Sequence, residues 1–290
     1  ADTILGPSVN RPYPLSSKEQ RVLENELHYQ EFKGSTAYED SVRQFERQYL
    51  YVTSLLTGGR IATSSNAQFE IHPLWQGLGL NTVEGIYYVA RPIWVRKLRG
   101  KQLKLYADLR YAFGAEDFRW KSGASYAIEG KRNLRFLVEG GHYVSQFNKL
   151  EPIQPLWNSV YTVFGDNFLK MFEKDYLSTM VQWEPIAGLT FRPALEYAMR
   201  SPLYNLPNFR GELNFTPNNP FYPDFIGPEE GFERHRAFTF SFDFSYQLGQ
   251  RFRMKRGERI DEHSNLPKVY AEYRKGLPIL GAVTDFDFLT

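Results

Sequence analysis

The chain has 290 residues, and its 35 lysines and arginines nearly balance its 33 aspartates and glutamates, for a net charge of +2. This balance argues against a nucleic-acid-binding protein, in which basic residues usually concentrate on one surface. The absence of cysteine excludes disulfides, cysteine-ligated metals and thiol catalysis. Phe, Tyr and Trp make up 16% of the chain, yet its mean hydropathy is −0.47. Fine alternation of aromatic and polar residues along strands would explain this combination.

Residues 1–57 differ from the remainder and are predicted to form an extended linker and amphipathic helices. Ser17 and Gln20 resemble a capping box at the start of a charged helix that extends to about residue 30. Thr36 and Glu39 form a second such pair before another helix. We interpret these helices as a pair packed on a larger body, because a membrane-surface helix would carry more basic residues on its polar face.

Residues 58–290 alternate between apolar and polar side chains, as half-buried strands do. The clearest example is 238–248, where Phe238, Phe240, Phe242 and Phe244 alternate with small or polar residues. The alternation predicts ten strands, near residues 58–70, 82–95, 102–112, 118–128, 134–144, 175–184, 189–199, 237–248, 267–275 and 282–288.

The predicted strands favour an all-β fold of the antiparallel transmembrane barrel type found in outer membranes. Many of them are long enough to cross a bilayer when tilted, whereas strands of soluble proteins are usually shorter. Short turns alternate with long loops near 145–174 and 200–236, which we expect to be extracellular. The helical segment 1–57 would then be periplasmic. The long, basic connection 249–266 fits less well, so either the strand order slips there or that side carries an elaborated loop.

The alternation also assigns side chains to the two faces of the predicted barrel. The residues expected to face the lumen are of mixed charge, which favours a hydrated or plugged interior over a strongly ion-selective pore: Lys104, Asp108, Arg110, Arg119, Lys121, Arg192, Glu196, Arg200 and Asp243. The residues expected to face lipid are apolar: Leu103, Leu105, Leu109, Phe238, Phe240, Phe242 and Phe244. Aromatic residues near strand ends are candidates for interfacial girdles: Tyr87, Tyr88, Trp94, Phe118, Trp120, Trp183, Tyr246 and Tyr270.

The stretch 153–164 is too apolar for a free extracellular loop. Its large side chains are Leu156, Trp157, Tyr161 and Phe164. The sequence leaves open whether this stretch folds onto the barrel rim, enters the barrel mouth or contacts a protein partner.

No motif points to chemistry: the chain lacks a nucleophile elbow, a phosphate-binding loop and a histidine pair at metal-ligand spacing. The acid–histidine cluster 261–263 is interpreted as solvated charge. Glu229 and Glu230 lie in a proline-rich loop, where a rigid solvated loop is favoured over weak calcium binding. We therefore expect no catalytic residue, no cofactor and no metal site.

Several short motifs resemble an outer-membrane barrel family of unknown function whose members carry an N-terminal carboxypeptidase-regulatory-like domain. They include residues 11–15 (RPYPL), 37–42 (AYEDSV), 81–85 (NTVEG), 215–220 (FTPNNP) and 273–276 (YRKG). The resemblance implies further domains or strands at both ends, so the chain is expected to be the middle part of a longer protein. By fold-level analogy, the family is similar to the BamA/TamA-like superfamily of assembly and translocation barrels, which transfers no mechanism.

Together these patterns predict a non-enzymatic integral protein of a Gram-negative outer membrane. We expect it to contact outer-membrane lipid and protein partners, as a structural or accessory subunit of an envelope assembly, export or uptake complex. One alternative is a passive or gated channel for small polar solutes. Another is a soluble β-sandwich that binds carbohydrate through its aromatic residues.

Overall fold

The alternation of aromatic and polar residues produces one large antiparallel sheet in this computed structural model. The structure describes residues 16–33, 57–98, 100–130, 132–148, 152–207, 215–220, 232–255 and 258–290. Two compact units are separable along the chain, Ala1–Val52 and Thr53–Thr290. The all-β class predicted for the second unit is confirmed.

The described elements are three helices and fifteen strands. The helices are α1 (Ser17–Lys33), α2 (Leu74–Gly77) and α3 (Pro155–Phe164). The strands are β1 (Gly59–Ser64), β2 (Ala67–Ile71), β3 (Leu78–Asn81), β4 (Gly85–Ala90), β5 (Ile93–Leu98), β6 (Lys101–Ala112), β7 (Asp117–Ile128), β8 (Asn133–Gln146), β9 (Met171–Ile186), β10 (Leu189–Pro202), β11 (His235–Gln247), β12 (Phe252–Lys255), β13 (Glu258–Asp261), β14 (Lys268–Gly276) and β15 (Phe286–Leu289).

Neighbouring strands of the sheet mostly follow one another in sequence. The order is β1-β2-β5-β6-β7-β8-β9-β10-β11-β14-β15, and β4 pairs with both β3 and β6. Strands β6 to β11 are 12 to 16 residues long, well above the usual length in soluble proteins. The sheet is open, because β1 and β15 end its strand order and do not pair with each other.

Two predicted strands are each divided in the structure. The predicted strand 82–95 becomes β4 and β5, separated by Arg91 and Pro92. Proline has no amide hydrogen for the ladder, and it restricts the residue before it. The predicted strand 58–70 becomes the β1–β2 hairpin, whose turn follows Ser64.

The basic connection 249–266 lies at the same end of the sheet as the short turns after β5, β7 and β9. This position follows from the register, since Leu189 pairs with both Ile186 and Tyr246. The strand order therefore does not slip, and that end carries an additional hairpin, β12–β13. The described parts of the two long connections, residues 147–148, 152–170, 203–207, 215–220 and 232–234, belong to the opposite end.

Among the described residues, the clusters of buried apolar side chains are small and lie toward the end of the sheet with the long connections. One cluster contains Tyr143, Val144, Tyr176 and Ala198, and another contains Val83, Leu169 and Met171. The long strands therefore do not enclose a conventional apolar core, and their polar face has to be stabilised in another way.

The N-terminal unit is described only through α1, which occupies the region predicted to be helical from Ser17. Val22 and Leu27 on this helix are exposed. The second predicted helix, with Tyr38, Val42, Phe45 and Tyr49, lies outside the described residues. Within the described part of the chain, no helix combines the length and hydrophobicity needed to cross a membrane.

Candidate functional site

The strand registers separate the sheet into a polar face and an apolar face, the names used below. Lys104 pairs with Ser125, and Asp108 with Lys121, so these residues share one face. All nine residues predicted to face a lumen lie on the polar face: Lys104, Asp108, Arg110, Arg119, Lys121, Arg192, Glu196, Arg200 and Asp243. The seven predicted to face lipid lie on the apolar face: Leu103, Leu105, Leu109, Phe238, Phe240, Phe242 and Phe244.

The two faces show a burial pattern opposite to that of a soluble protein. On the polar face, Glu84 is completely buried and Arg119 is 4% exposed. On the apolar face, Leu177 is 58% exposed and Phe118 is 52% exposed. Charged residues are rarely buried unless they are paired, so the polar face must contain compensating contacts.

Glu84 is at the centre of these contacts, in the turn between β3 and β4. The Asn81 side chain accepts hydrogen bonds from the Val83 and Glu84 amides and donates one to the Glu84 carboxylate at 2.7 Å. Gly85 closes the turn with a φ of 68°, a conformation that favours glycine. The sequence motif 81–85 therefore folds so that a carboxylate points into the sheet.

Two arginines neutralise Glu84. The Arg110 Nε donates to the carboxylate at 2.7 Å, and a second Arg110 nitrogen binds its other oxygen. Arg119 donates to the same carboxylate at 3.2 Å. The Arg110 guanidinium also lies 3.7 Å from the centre of the Tyr87 ring. Tyr87 is therefore buried on the polar face, and its prediction as an interfacial girdle residue is wrong.

Arg119 connects this centre to a group on β7, β8 and β9. It donates to Asp117 at 2.8 Å and to Glu173 at 2.9 Å. His142 lies 3.2 Å from Glu173 and 2.7 Å from Asp175. Asp117, His142 and Glu173 approach closely enough to hold a divalent cation. Because the Arg119 guanidinium already pairs with both carboxylates, an ion-pair network accounts for this group.

A second group surrounds Glu139 in the middle of the sheet. Its carboxylate accepts hydrogen bonds from the Tyr106 hydroxyl at 2.7 Å and from the Tyr176 hydroxyl at 2.5 Å. Tyr106 lies on β6 and Glu139 on β8, so the contact crosses β7, as expected when a sheet curves toward its polar face. The Tyr106 ring occupies the space over Gly123, where an added Cβ would lie 2.6 Å from it.

Beside this group, Lys174 and Glu196 join β9 to β10. The Lys174 ammonium lies 2.5 Å from the Glu196 carboxylate and 3.7 Å from the centre of the Tyr176 ring. Lys121 lies 3.6 Å from both Asp108 and Glu139. The mixed charges of the polar face are therefore arranged as cross-strand pairs.

At the end with the short turns, Glu184 fastens the β12–β13 hairpin to the sheet. Two nitrogens of Arg259 contact its carboxylate at 3.0 and 2.5 Å, and Asn133 donates to it at 2.8 Å. Asp261, from the acid–histidine cluster predicted to be solvated, also accepts from Arg259 at 2.7 Å. Glu229 and Glu230, considered for weak calcium binding, lie outside the described residues.

At the opposite end, polar side chains hydrogen-bond the two long connections to each other. Asn218 accepts from the Met171 amide at 2.8 Å and donates to the Leu203 carbonyl at 2.7 Å. The Lys170 ammonium donates to the Pro217 carbonyl at 2.6 Å and to the Thr216 hydroxyl at 2.9 Å. Burial lowers the pKa of Lys170 to about 8. The motif 215–220 is thus hydrogen-bonded to the residues at the start of β9.

The apolar stretch 153–164 contains α3, a helix whose polar side is buried and whose apolar side is exposed. Asn158 and Thr162 are buried, and the Ser159 hydroxyl accepts from the Leu80 amide at 2.9 Å, which attaches α3 to β3. The four residues singled out from the sequence are exposed: Leu156, Trp157, Tyr161 and Phe164. The sequence pattern did not predict this helix, because its buried side is polar and its apolar residues do not mark a core.

The assignment of girdle residues needs a second correction at Tyr270. This residue pairs with Ser245 on the polar face, and its hydroxyl donates to Glu272 at 2.9 Å. Sequence reasoning also missed Glu84 and Glu272 as buried acids and Glu139 as the acceptor for two tyrosine hydroxyls. For Glu84, the only local signal in the sequence is its position in a tight turn between Asn81 and Gly85.

Comparison with known proteins identifies a family. Residues 53–290 match the model of the C-terminal domain of a family of unknown function, DUF5686. No curated protein and no solved structure matches the chain.

Proposed function

This chain belongs to the DUF5686 family, and we propose that its matched domain is an integral outer-membrane β-barrel of a Gram-negative bacterium. In this proposal the domain has no catalytic role and acts as a structural or accessory subunit of an envelope assembly, export or uptake complex. Its apolar face contacts lipid and its polar face lines the interior.

The single observation that carries this proposal is the inverted burial of the two faces. A soluble sandwich places its apolar face inside, whereas a membrane barrel turns that face toward lipid and keeps its polar residues inside. Leu177 and Phe118 are more than half exposed, while Glu84, Arg110 and Arg119 are buried together. In water this arrangement would leave a broad apolar surface uncovered.

The lengths of the strands support the same environment. A tilted strand needs about 9–11 residues to cross the hydrocarbon core of a bilayer, and β6 to β11 all exceed this length. Trp120 and Trp183 on the apolar face suit the membrane–water interfaces, because an indole ring combines an apolar body with a polar N–H group.

A closed barrel requires partners for the free edges of β1 and β15. Unpaired backbone groups at a sheet edge are costly in a bilayer, so each edge calls for another strand or a closing contact. The proposal therefore includes pairing of both edges in the membrane-embedded protein.

The cross-strand ion pairs favour a structural subunit over an open channel. Arg119, Glu139 and Lys174 each link side chains of different elements across the polar face. Such links fill and stiffen the interior. The exposed side of α3 supports contact with a protein partner or with lipid beside the barrel, since Phe164 is 79% exposed.

Membrane fractionation of cells that express the full-length protein tests the proposal. We expect it in the outer-membrane fraction, resistant to carbonate extraction, with different gel mobility before and after heating in detergent. Recovery of a monomer that is soluble without detergent would overturn it.

Two further measurements on the detergent-purified protein separate the candidate roles. Stoichiometric co-purification of large envelope proteins is the result expected for a subunit. A steady conductance in planar bilayers, without such partners, would instead support the channel alternative.

A further inference from the structure

A cavity of about 460 Å³ lies on the polar face, at the end of the sheet with the long connections. Its walls come from β9, β10, β11, β14 and β15 and from residues next to β8 and β11. Its volume falls in the range of small-molecule sites, about 300–1,000 Å³. None of the ion pairs centred on Glu84 or Glu139 contributes a lining residue.

One wall of the cavity consists of phenylalanine rings. The Phe147 ring centre lies 4.9 Å from that of Phe172 and 5.7 Å from that of Phe232. Phe286 and Phe288 add a second apolar surface, because they pair with Gly276 and Arg274 and so lie on the polar face. Both side chains are more than one-third exposed, so they present accessible apolar surface to the cavity.

The polar part of the lining is basic. Arg200, Arg274 and His235 line the cavity, and no aspartate or glutamate does. Arg274 pairs with Glu272 outside the lining. The His235 Nδ1 lies 2.8 Å from the Glu233 carbonyl.

Arg200 is less compensated than Arg274. One of its terminal nitrogens has long contacts, at 3.4 Å to the Thr239 hydroxyl and 3.5 Å to the Glu196 carboxylate. Its Nε is buried, and no partner for it exists among the described residues. The carboxylate of Glu196 is closer to Lys174, at 2.5 Å. The guanidinium charge is therefore weakly compensated, and an anion in the cavity would be stabilised by a charge-assisted contact with the part of Arg200 that lines it.

We propose that this cavity binds an amphipathic anion, with its carboxylate or similar single anionic group at Arg200 and its alkyl chain or ring along the phenylalanines. The basic lining selects the charge of the ligand, and the aromatic walls require an apolar body. A free fatty acid and an anionic lipid present the same chemistry to this site.

Native mass spectrometry of the full chain tests the proposal, with dodecanoate as the probe. We expect one bound dodecanoate per chain and much weaker binding of dodecyltrimethylammonium, which has the same alkyl chain and the opposite charge. Arg200→Gln should weaken binding at least roughly tenfold, as expected for loss of a charge-assisted contact. Short-chain phosphatidylglycerol as a second probe distinguishes a lipid ligand from a free fatty acid.

Arg192→Gln is the matched control, because Arg192 lies on the same strand and face and does not line the cavity. Its binding should equal that of the unaltered chain. If Arg200→Gln does not fold, Phe288→Ala on edge strand β15 serves instead and should also weaken binding. The proposal would be overturned if the unaltered chain bound dodecanoate and dodecyltrimethylammonium equally, or if it did not bind dodecanoate at all. Equal dodecanoate binding by Arg192→Gln and Arg200→Gln would also overturn it. The measurement works in detergent or in buffer, so its result is independent of membrane localisation.

Discussion

The Arg110 guanidinium and the Glu84 carboxylate meet through two hydrogen bonds in the buried part of the polar face. Glu84 belongs to the turn between β3 and β4, and Arg110 belongs to β6. Their contact fixes this turn against the long strands and brings Arg119 into the same group.

Replacement of Glu84 by leucine should strongly destabilise the protein, since Arg110 and Arg119 would remain buried with an incomplete set of acceptors. Removal of one partner of a buried ion pair typically costs about 3–5 kcal/mol. Denaturant unfolding followed by tryptophan fluorescence measures this loss. Glu70→Gln is the control, because its partner Arg60 is 73% exposed, and it should cost about 1 kcal/mol or less. Equal losses in the two variants would contradict a central role for Glu84.

A charge on the apolar face should distinguish a lipid environment from water. Leu177→Arg places a guanidinium at a position that is 58% exposed. In a membrane barrel this change costs about 2–4 kcal/mol near the bilayer midplane, whereas an exposed site in a soluble protein usually tolerates it within about 0.5 kcal/mol. The measurement compares the free energy of unfolding of Leu177→Arg with that of the unaltered protein, both in lipid vesicles.

Leu266→Arg is the matched control for this prediction, because Leu266 is similarly exposed and lies in the connection before β14. It should leave the free energy of unfolding almost unchanged. If both variants unfold like the unaltered protein, the apolar face does not contact lipid.

Gly123 provides the space for the Tyr106 ring that reaches Glu139. Gly123→Ala would place a Cβ 2.6 Å from that ring, and overpacking of this kind typically costs about 1–3 kcal/mol. In a Tyr106→Ala background the same change should cost much less, because the obstructing ring is gone. A double-mutant cycle of unfolding free energies measures this coupling. Strict additivity of the two changes would show that the ring and the glycine act separately.

Lys170 should make stability depend on pH in the alkaline range. Burial lowers its pKa to about 8 from the usual 10.5, so the folded chain releases this proton earlier than the unfolded chain. Between these two values the unfolded state binds more protons, and stability from this group therefore increases as the pH rises. Below pH 8 the cost of burying the charge is fully present.

Unfolding free energies measured at pH 7.5 and pH 9.5 test this dependence. Lys170→Met should reduce the increase between the two pH values, while Lys268→Met, at an exposed lysine, should not. The same increase in Lys170→Met as in the unaltered protein would refute the assignment.

The sequence was informative where a single periodicity covered a whole element. Along β11, four phenylalanines alternate with small or polar residues, and the predicted strand 237–248 differs from the observed one by only a few residues. The same alternation placed Lys104 and Leu105 on opposite faces. Membership of a face depends on a period of two, which is readable without knowledge of strand partners.

The remaining features depend on contacts between distant parts of the chain. The partners of Glu84 come from β6 and β7, and sequence spacing contains no information about them. Tyr87 is an aromatic residue near a strand end, as girdle residues are, but the pairing of β4 with β6 places its ring on the polar face beside Arg110. The helix α3 was missed because Asn158 and Thr162 bury a polar side, so its apolar residues did not mark a core.

The antiparallel order of β5 to β11 has a consequence for the sequence of folding events. Each of these strands pairs with its neighbour in the chain, so the contacts are local and the sheet can grow by addition of successive hairpins at one edge. The partners of Glu84 and of Glu139 all precede β10. A folding intermediate whose sheet extends only as far as β9 can therefore already pair the carboxylates of Glu84 and Glu139, before β10, β11 and β14 are added.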